Sequence, residues 1–172
     1  MSGHFDTACA LLVAEVHALA DVLSLELLPA VETVPGGELV IGSIGFCGDD
    51  LRGAVTLAAG PPVWLAIAPS DLGQPVPAVL LSDMVGELCN LALGRFRNVL
   101  LRKGVKIACA TPTTAHGRLH DMKCICVQHS TWRTFRSSAG DLYLRFDASF
   151  ESGFAFRSEA AVEPVVQDLV LF

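Results

Sequence analysis

Two long stretches of this chain repeat apolar residues every three or four positions, whereas the segments around them tend to alternate. In the first, from about His4 to Leu28, the residues Phe5, Cys9, Leu12, Val16, Leu19 and Val22 or Leu23 form one stripe. That spacing predicts an amphipathic helix, with Pro29 as its limit. The second stretch, Ala78 to Arg102, turns Leu81, Met84, Leu88, Leu91, Ala92, Phe96 and Val99 to one side. Arg95, Arg97, Arg102 and Lys103 crowd its last turns, where cations suit the negative end of a helix, and Gly104 is a natural stop.

Between the helices the period changes. Glu38 to Phe46 and Arg52 to Ala59 read as a hairpin turned at Gly48-Asp49-Asp50, with Gly42, Gly45 and Gly53 marking bulges or close backbone approach. Gly60-Pro61-Pro62 opens a short helix over Val63 to Ala68, and Pro69 to Pro77 reads as a loop. After the central helix come a short strand, Val105 to Ala110, and then a long antiparallel pair. Its strands are Cys124 to Phe135 and Asp141 to Phe150, turned at Ser137-Ser138-Ala139-Gly140. Helix then hairpin, followed by helix then strands, predicts a two-layer α+β fold. Two related α-β halves share one mostly antiparallel sheet, with both long helices on one face. Residues 1–172 are expected to form a single domain, with 153–172 a tail whose packing the sequence leaves open. Val165 to Phe172 is apolar enough to pack at home or on a second subunit.

Composition narrows the function classes. Apolar residues make up 52% and charged residues 17%, so a disordered chain is excluded. A net charge of −6 lacks the basic footprint that nucleic acid demands. The apolar runs, such as Pro61 to Ala68, are far too short to span a membrane, and the start of the chain lacks a signal-peptide pattern. A cytoplasmic protein follows as the expectation, with its six cysteines reduced. No C-x2-C pair occurs, so these cysteines read as small buried hydrophobes rather than zinc ligands. His116 and His120, with Gly117 between them, read as loop or surface histidines.

The chemistry gathers on the central helix. Asp83, Glu87 and Asn90 follow one another at steps of four and three, and Pro112 comes twenty-two residues after the asparagine. Written as a pattern this is D-x3-E-x2-N-x21-P, and the helical steps put its three polar side chains on one face. Gly94 continues the stripe. Asn is a mediocre helix former and Gly costs about 1 kcal/mol against Ala in a helix interior. Their presence one turn apart points to a surface that another molecule approaches closely; for Gly94, close packing of the two long helices is the competing explanation.

Gly86-Glu87-Leu88-Cys89-Asn90-Leu91-Ala92-Leu93-Gly94 closely resembles the signature helix of CheX-type chemotaxis phosphatases, and is similar to the related CheC and FliY proteins. All fixed positions of that family's pattern are met by Asp83, Glu87, Asn90 and Pro112, and the resemblance covers about Phe5 to Phe150. It implies a CheC-like fold and a phosphatase acting on the aspartyl phosphate of a CheY-like response regulator. Asn90 would orient the attacking water and Glu87 would pair with the regulator's lysine. Asp83 and Gly94 would extend the docking surface, and Pro112 would shape the loop beside it. Mg2+ would be supplied by the regulator, this chain having no metal site of its own, and a homodimer is expected.

Two departures bear on that reading. Arg95 stands where the family usually has asparagine, placing a new cation near the docking surface. In the first helix Glu15 is followed three residues later by Ala18, so a second site is missing its asparagine. A catalytically silent regulator-binding domain, or a structural domain like those of the flagellar switch, is the alternative. No G-x-S-x-G elbow or Cys-His pairing supports a nucleophilic hydrolase.

Overall fold

A computed structural model of the chain describes residues 2–33, 35–68, 76–118 and 127–157. Helix α1 (Ser2–Val22) precedes the hairpin β1 (Leu39–Cys47) and β2 (Leu51–Ala59). The short helix α2 (Pro61–Ala66) and the long α3 (Ala78–Arg102) follow. The strands β3 (Ala108–Cys109), β4 (Thr113–Gly117), β5 (His129–Ser137) and β6 (Gly140–Phe150) complete the order. All strand pairings are antiparallel, in the order β3-β1-β2-β6-β5, with β4 also on β1.

Both helix ends are set by local chemistry. At the end of α3 the Val105 amide donates to the Leu100 carbonyl (2.9 Å) and that of Gly104 to Leu101 (3.0 Å). Gly104 takes the left-handed conformation, φ +77°, that this closure needs. The same motif stops α1 earlier than Pro29 would. Ser24 sits at φ 57°, and Leu25 donates to Ala20 (2.9 Å) and is buried. Helix to Leu28 was therefore an over-extension, because burying Leu25 after a tight turn competes with another turn of helix. For α2 the prolines lie inside the first turn, so it starts at Pro61 and ends at Ala66 rather than Ala68. Trp64 anchors it, donating its indole N–H to the carbonyls of Val40 and Ala59, both at 3.1 Å.

The two halves exchange their edges. After α1, Val31 pairs with Thr134 on β5, the amide and carbonyl of each bonding to the other. After α3, β3 and β4 pair with β1, from Phe46↔Cys109 to Leu39↔Gly117. Each half thus closes the outer edge of the other half's hairpin, and β2 joins β6 at the middle. Strand β4 departs from expectation: the segment holding His116 is strand, while the strand expected over Val105 to Ala110 shortens to Ala108–Cys109. Val105 and Ile107 are buried in the core instead of laddered. Among the described residues β5 begins at His129; Cys124, Cys126 and His120 lie outside them, as does the apolar stretch from Val165. Part of the tail packs, since Phe154 is buried against Phe150 (4.8 Å between ring centres) and the Arg157 amide donates to Lys103.

Helices α1 and α3 share one face of the sheet. Phe146 of β6 is the hub, with Phe5 of α1 at 5.4 Å and Phe96 of α3 at 5.7 Å. On the opposite face Arg145 and Asp147 form a buried pair (2.9 Å) beside the Ser43–Thr56 hydrogen bond. A smaller apolar cluster there joins Leu39, Ile41 and Ala58 to Trp132 and Tyr143.

Of the three hairpin glycines, Gly42 decides where α3 lies. The β1–β2 register is continuous, so no bulge occurs between Val40 and Cys47. A Cβ at Gly42 would stand 2.5 Å from Cys89 Sγ, 2.9 Å from Val85 Cγ1 and 3.1 Å from the Val85 carbonyl oxygen. Burial pushes the Cys89 thiol up to about 12, so it acts as a neutral packing group at this contact. Gly42→Ala is expected to destabilise the fold by about 2 kcal/mol, the cost of overpacking where part of the obstacle is backbone. A urea midpoint equal to that of the wild type would refute this seating of α3.

Candidate functional site

Seating Val85 and Cys89 on β1 fixes the rotation of α3, and with it the face turned outward. Leu81, Val85, Leu88, Cys89, Ala92, Leu93, Phe96 and Leu100 are buried, while Asp83, Glu87 and Asn90 are exposed. At about 100° per residue, Asp83, Glu87, Asn90 and Gly94 fall within about 60° of arc. They form one outward ridge. Among the described residues no hydrogen bond or ion pair engages the side chains of Asp83, Glu87 or Asn90. Like charges at i and i+4 cost an isolated helix about 0.2–0.5 kcal/mol, so Asp83 and Glu87 are not placed there for helix stability.

Pro112 joins this ridge through tertiary structure. Its Cγ would lie 3.7 Å from a Cβ at Gly86, and the Thr114 methyl 3.6 Å away. Gly86 stands three residues after Asp83 and four before Asn90, so it borders both on the helix surface. Pro112 and β4 therefore form a wall along one flank of the ridge. Higher up the same wall, Ser82 Oγ and His116 Nε2 are 2.9 Å apart. The histidine is a surface residue, as expected, but it is held on a strand. The Thr-Thr-Ala-His run was too short to announce that strand.

The other flank is α1. Arg95 points there, its Nε donating to Glu15 Oε2 at 2.9 Å, with both side chains partly exposed. The residue that departs from the family pattern is thus engaged across the helix pair, about 100° around α3 from Gly94. Glu15, the acid of the incomplete second stripe, is its partner. Gly94 itself has nothing within 4 Å of where a Cβ would be. Close packing of the two helices does not account for that glycine; open space lies beside it.

Asp83, Glu87 and Asn90 stand at the surface. Cavities of about 310 and 360 Å3 exist elsewhere, one lined by Arg97, Asn98 and Lys106, another by Cys9, His17 and Arg133. Neither includes a ridge residue. An exposed acid and carboxamide on a rigid helix suit a macromolecular partner that brings its own pocket. Among the described residues no group of three or more His, Cys, Asp or Glu side chains is gathered for a metal ion. No helix among them is long and apolar enough to cross a membrane.

The fold is shared with chemotaxis proteins of known structure. No curated protein sequence matches. The chain is similar to the crystal structure of the chemotaxis protein CheX from Vibrio vulnificus, with 26% identity and TM-score 0.69 over 81% of this chain and 93% of that one. A CheC-like chemotactic protein from Shewanella oneidensis shares 23% identity and TM-score 0.68, over 87% of this chain and 100% of that one. The CheX of a CheX–CheY–BeF3–Mg2+ complex from Borrelia burgdorferi shares the fold at 13% identity and TM-score 0.60, over 81% and 96% of the two chains. The family model for the chemotaxis phosphatase CheX matches residues 40–136, from β1 through α3 to β5. With more than half its length matched, and the outward ridge at the centre of the match, the chain belongs to the CheX chemotaxis phosphatase family.

Proposed function

We propose that this chain hydrolyses the aspartyl phosphate of a phosphorylated CheY-like response regulator, with α3 as the inserted element. The observation that carries this reading is the unpartnered, outward presentation of Glu87 and Asn90 on a helix held rigid by its buried face. Asn90 enters the regulator's active site and holds a water in line with the phosphorus. That water attacks, the bond from phosphorus to the aspartyl oxygen breaks, and inorganic phosphate and the free carboxylate leave. Glu87 pairs with the regulator's lysine and fixes the register. Asp83 extends the docking face, Pro112 braces the adjoining loop, and Gly94 leaves clearance for the partner's backbone.

This chemistry needs no strong base from the chain. Phosphoryl transfer depends chiefly on positioning and on charge stabilisation, and a carboxamide can orient water. Mg2+ belongs to the regulator in this reading. An acceleration of about 100-fold asks for only about 2.7 kcal/mol, within reach of one well-placed water. The relative from Borrelia burgdorferi, seen together with CheY, BeF3 and Mg2+, supports a partner of this kind. Arg95 had offered ground for a silent docking domain, but its bond to Glu15 turns the cation toward α1 instead of the ridge.

We further propose a homodimer. Among the described residues β4 pairs only on its β1 side, leaving backbone groups free to accept a second strand.

In an assay of phosphate release from the phosphorylated regulator, Asn90→Ala should lower the rate about 100-fold while binding persists. Equal rates with binding preserved would favour silent docking. Gly94→Ala should raise stability by about 1 kcal/mol, since the site has room and helix propensity improves, yet weaken regulator turnover. A variant more stable and fully active would remove Gly94 from the docking face. Sedimentation at micromolar concentration should give the mass of a dimer; a monomer alone would end that part of the proposal.

A further inference from the structure

The apolar side chains of α3 are buried or half-buried except at its first turn. There Val79 is 68% exposed and Leu80 38%, the two large apolar residues of this helix that face solvent. Val79 lies four residues before Asp83, so at about 100° per residue it continues the ridge: Val79, Asp83, Glu87, Asn90 and Gly94 span about 80° of arc. Leu80 stands next to it on the Glu87 side. Among the described residues α3 packs on β1, β2, β4, α1 and α2, and its buried residues begin at Leu81, so these contacts do not bury Val79 or Leu80.

We propose that Val79 and Leu80 form an apolar anchor for the receiver domain that α3 engages, one that selects regulators with a nonpolar side chain beside a basic rim. This rests on the phosphatase reading and adds a specificity determinant to it. The occupant follows from continuity and from charge. Val79 is about 12 Å along the helix from Glu87 and about 17 Å from Asn90, at a rise of 1.5 Å per residue. A transient interface of about 600 Å2 per partner has a radius of about 14 Å, so one seated on Glu87 covers Val79 as well. Along the ridge itself the side chains between the anchor and Asn90 are the carboxylates Asp83 and Glu87, so the partner surface that meets them is basic. The design is an apolar contact at one end, acids in the middle and a carboxamide at the reacting end. The acids steer the encounter and the apolar pair slows release.

The test uses the intact protein, carrying Val79→Ser and Leu80→Gln together, against the phosphorylated regulator and, for binding, the beryllofluoride-activated regulator. Val79 faces water and Leu80 is partly exposed; an unchanged melting temperature verifies the fold, and Val79→Ser alone carries the test if the double variant melts lower. KM and Kd should rise about tenfold, as expected when two partly buried apolar contacts are lost, while kcat changes less than about twofold. The slope of Kd against salt should stay as in the wild type, whereas Asp83→Asn should lower it. A folded double variant with unchanged KM and Kd, beside an active wild type, overturns the anchor and leaves the phosphatase reading standing. Loss of the dimer with KM unchanged overturns it too, assigning these residues to a second copy of this chain. A wild type that neither binds nor dephosphorylates the regulator overturns both readings together.

Discussion

The seating of α3 on β1 through Gly42 is the constraint from which the geometry of the site descends. Without a Cβ there, Cys89 and Val85 drop onto the strand, and the rotation of the helix is fixed by that contact. Each residue of an α-helix is tied to the others at about 100° intervals, so burying positions 85 and 89 leaves 83, 87, 90 and 94 facing outward. A shift of one residue in this seating would turn Asn90 by a quarter of the circumference. The closeness of packing, not the polar residues themselves, is what gives the ridge its direction.

Symmetry between the halves supports that ridge from both sides. Since each half lends its edge segment to the other, the strand after α3 returns alongside the same helix and brings Pro112 against Gly86. Meanwhile α1 carries Glu15 to Arg95, which neutralises the acid of the incomplete stripe and joins the two helices. One flank is shaped by backbone and proline, the other by an ion pair. A half-exposed pair of this kind contributes little to stability in water, so its effect lies mainly in where it points the arginine.

Much of this was legible beforehand, for reasons that differ by element. Helix α3 was readable to its ends because its apolar period is unbroken and Gly104 supplies a left-handed stop. The β1–β2 and β5–β6 turns were likewise visible in Gly48-Asp49-Asp50 and in the Ser-Ser-Ala-Gly run. The end of α1 was not. Ser24 does there what glycine commonly does, so the stop carries no glycine signal and Pro29 is the limit the sequence displays. Strand β4 was hidden because its ladder partner is far away in sequence, and Thr113 to Gly117 alternate too briefly to show a face. Arg95 could be recognised as unusual from its position, but not as paired, since Glu15 is eighty residues away.

Periodicity and spacing thus determined which residues share the outward stripe of α3, because both are properties of a single helix. The sequence alone also set the identity of the acid, carboxamide and glycine on it, and the absence of charge on the buried side. Only the tertiary structure decided that the stripe is exposed among the described residues, that Pro112 walls it, that Arg95 turns away, and that Val79 stands exposed and Leu80 partly exposed at its end. Those outcomes depend on contacts between residues distant in the chain, and such contacts are resolved by volume and packing rather than by local pattern.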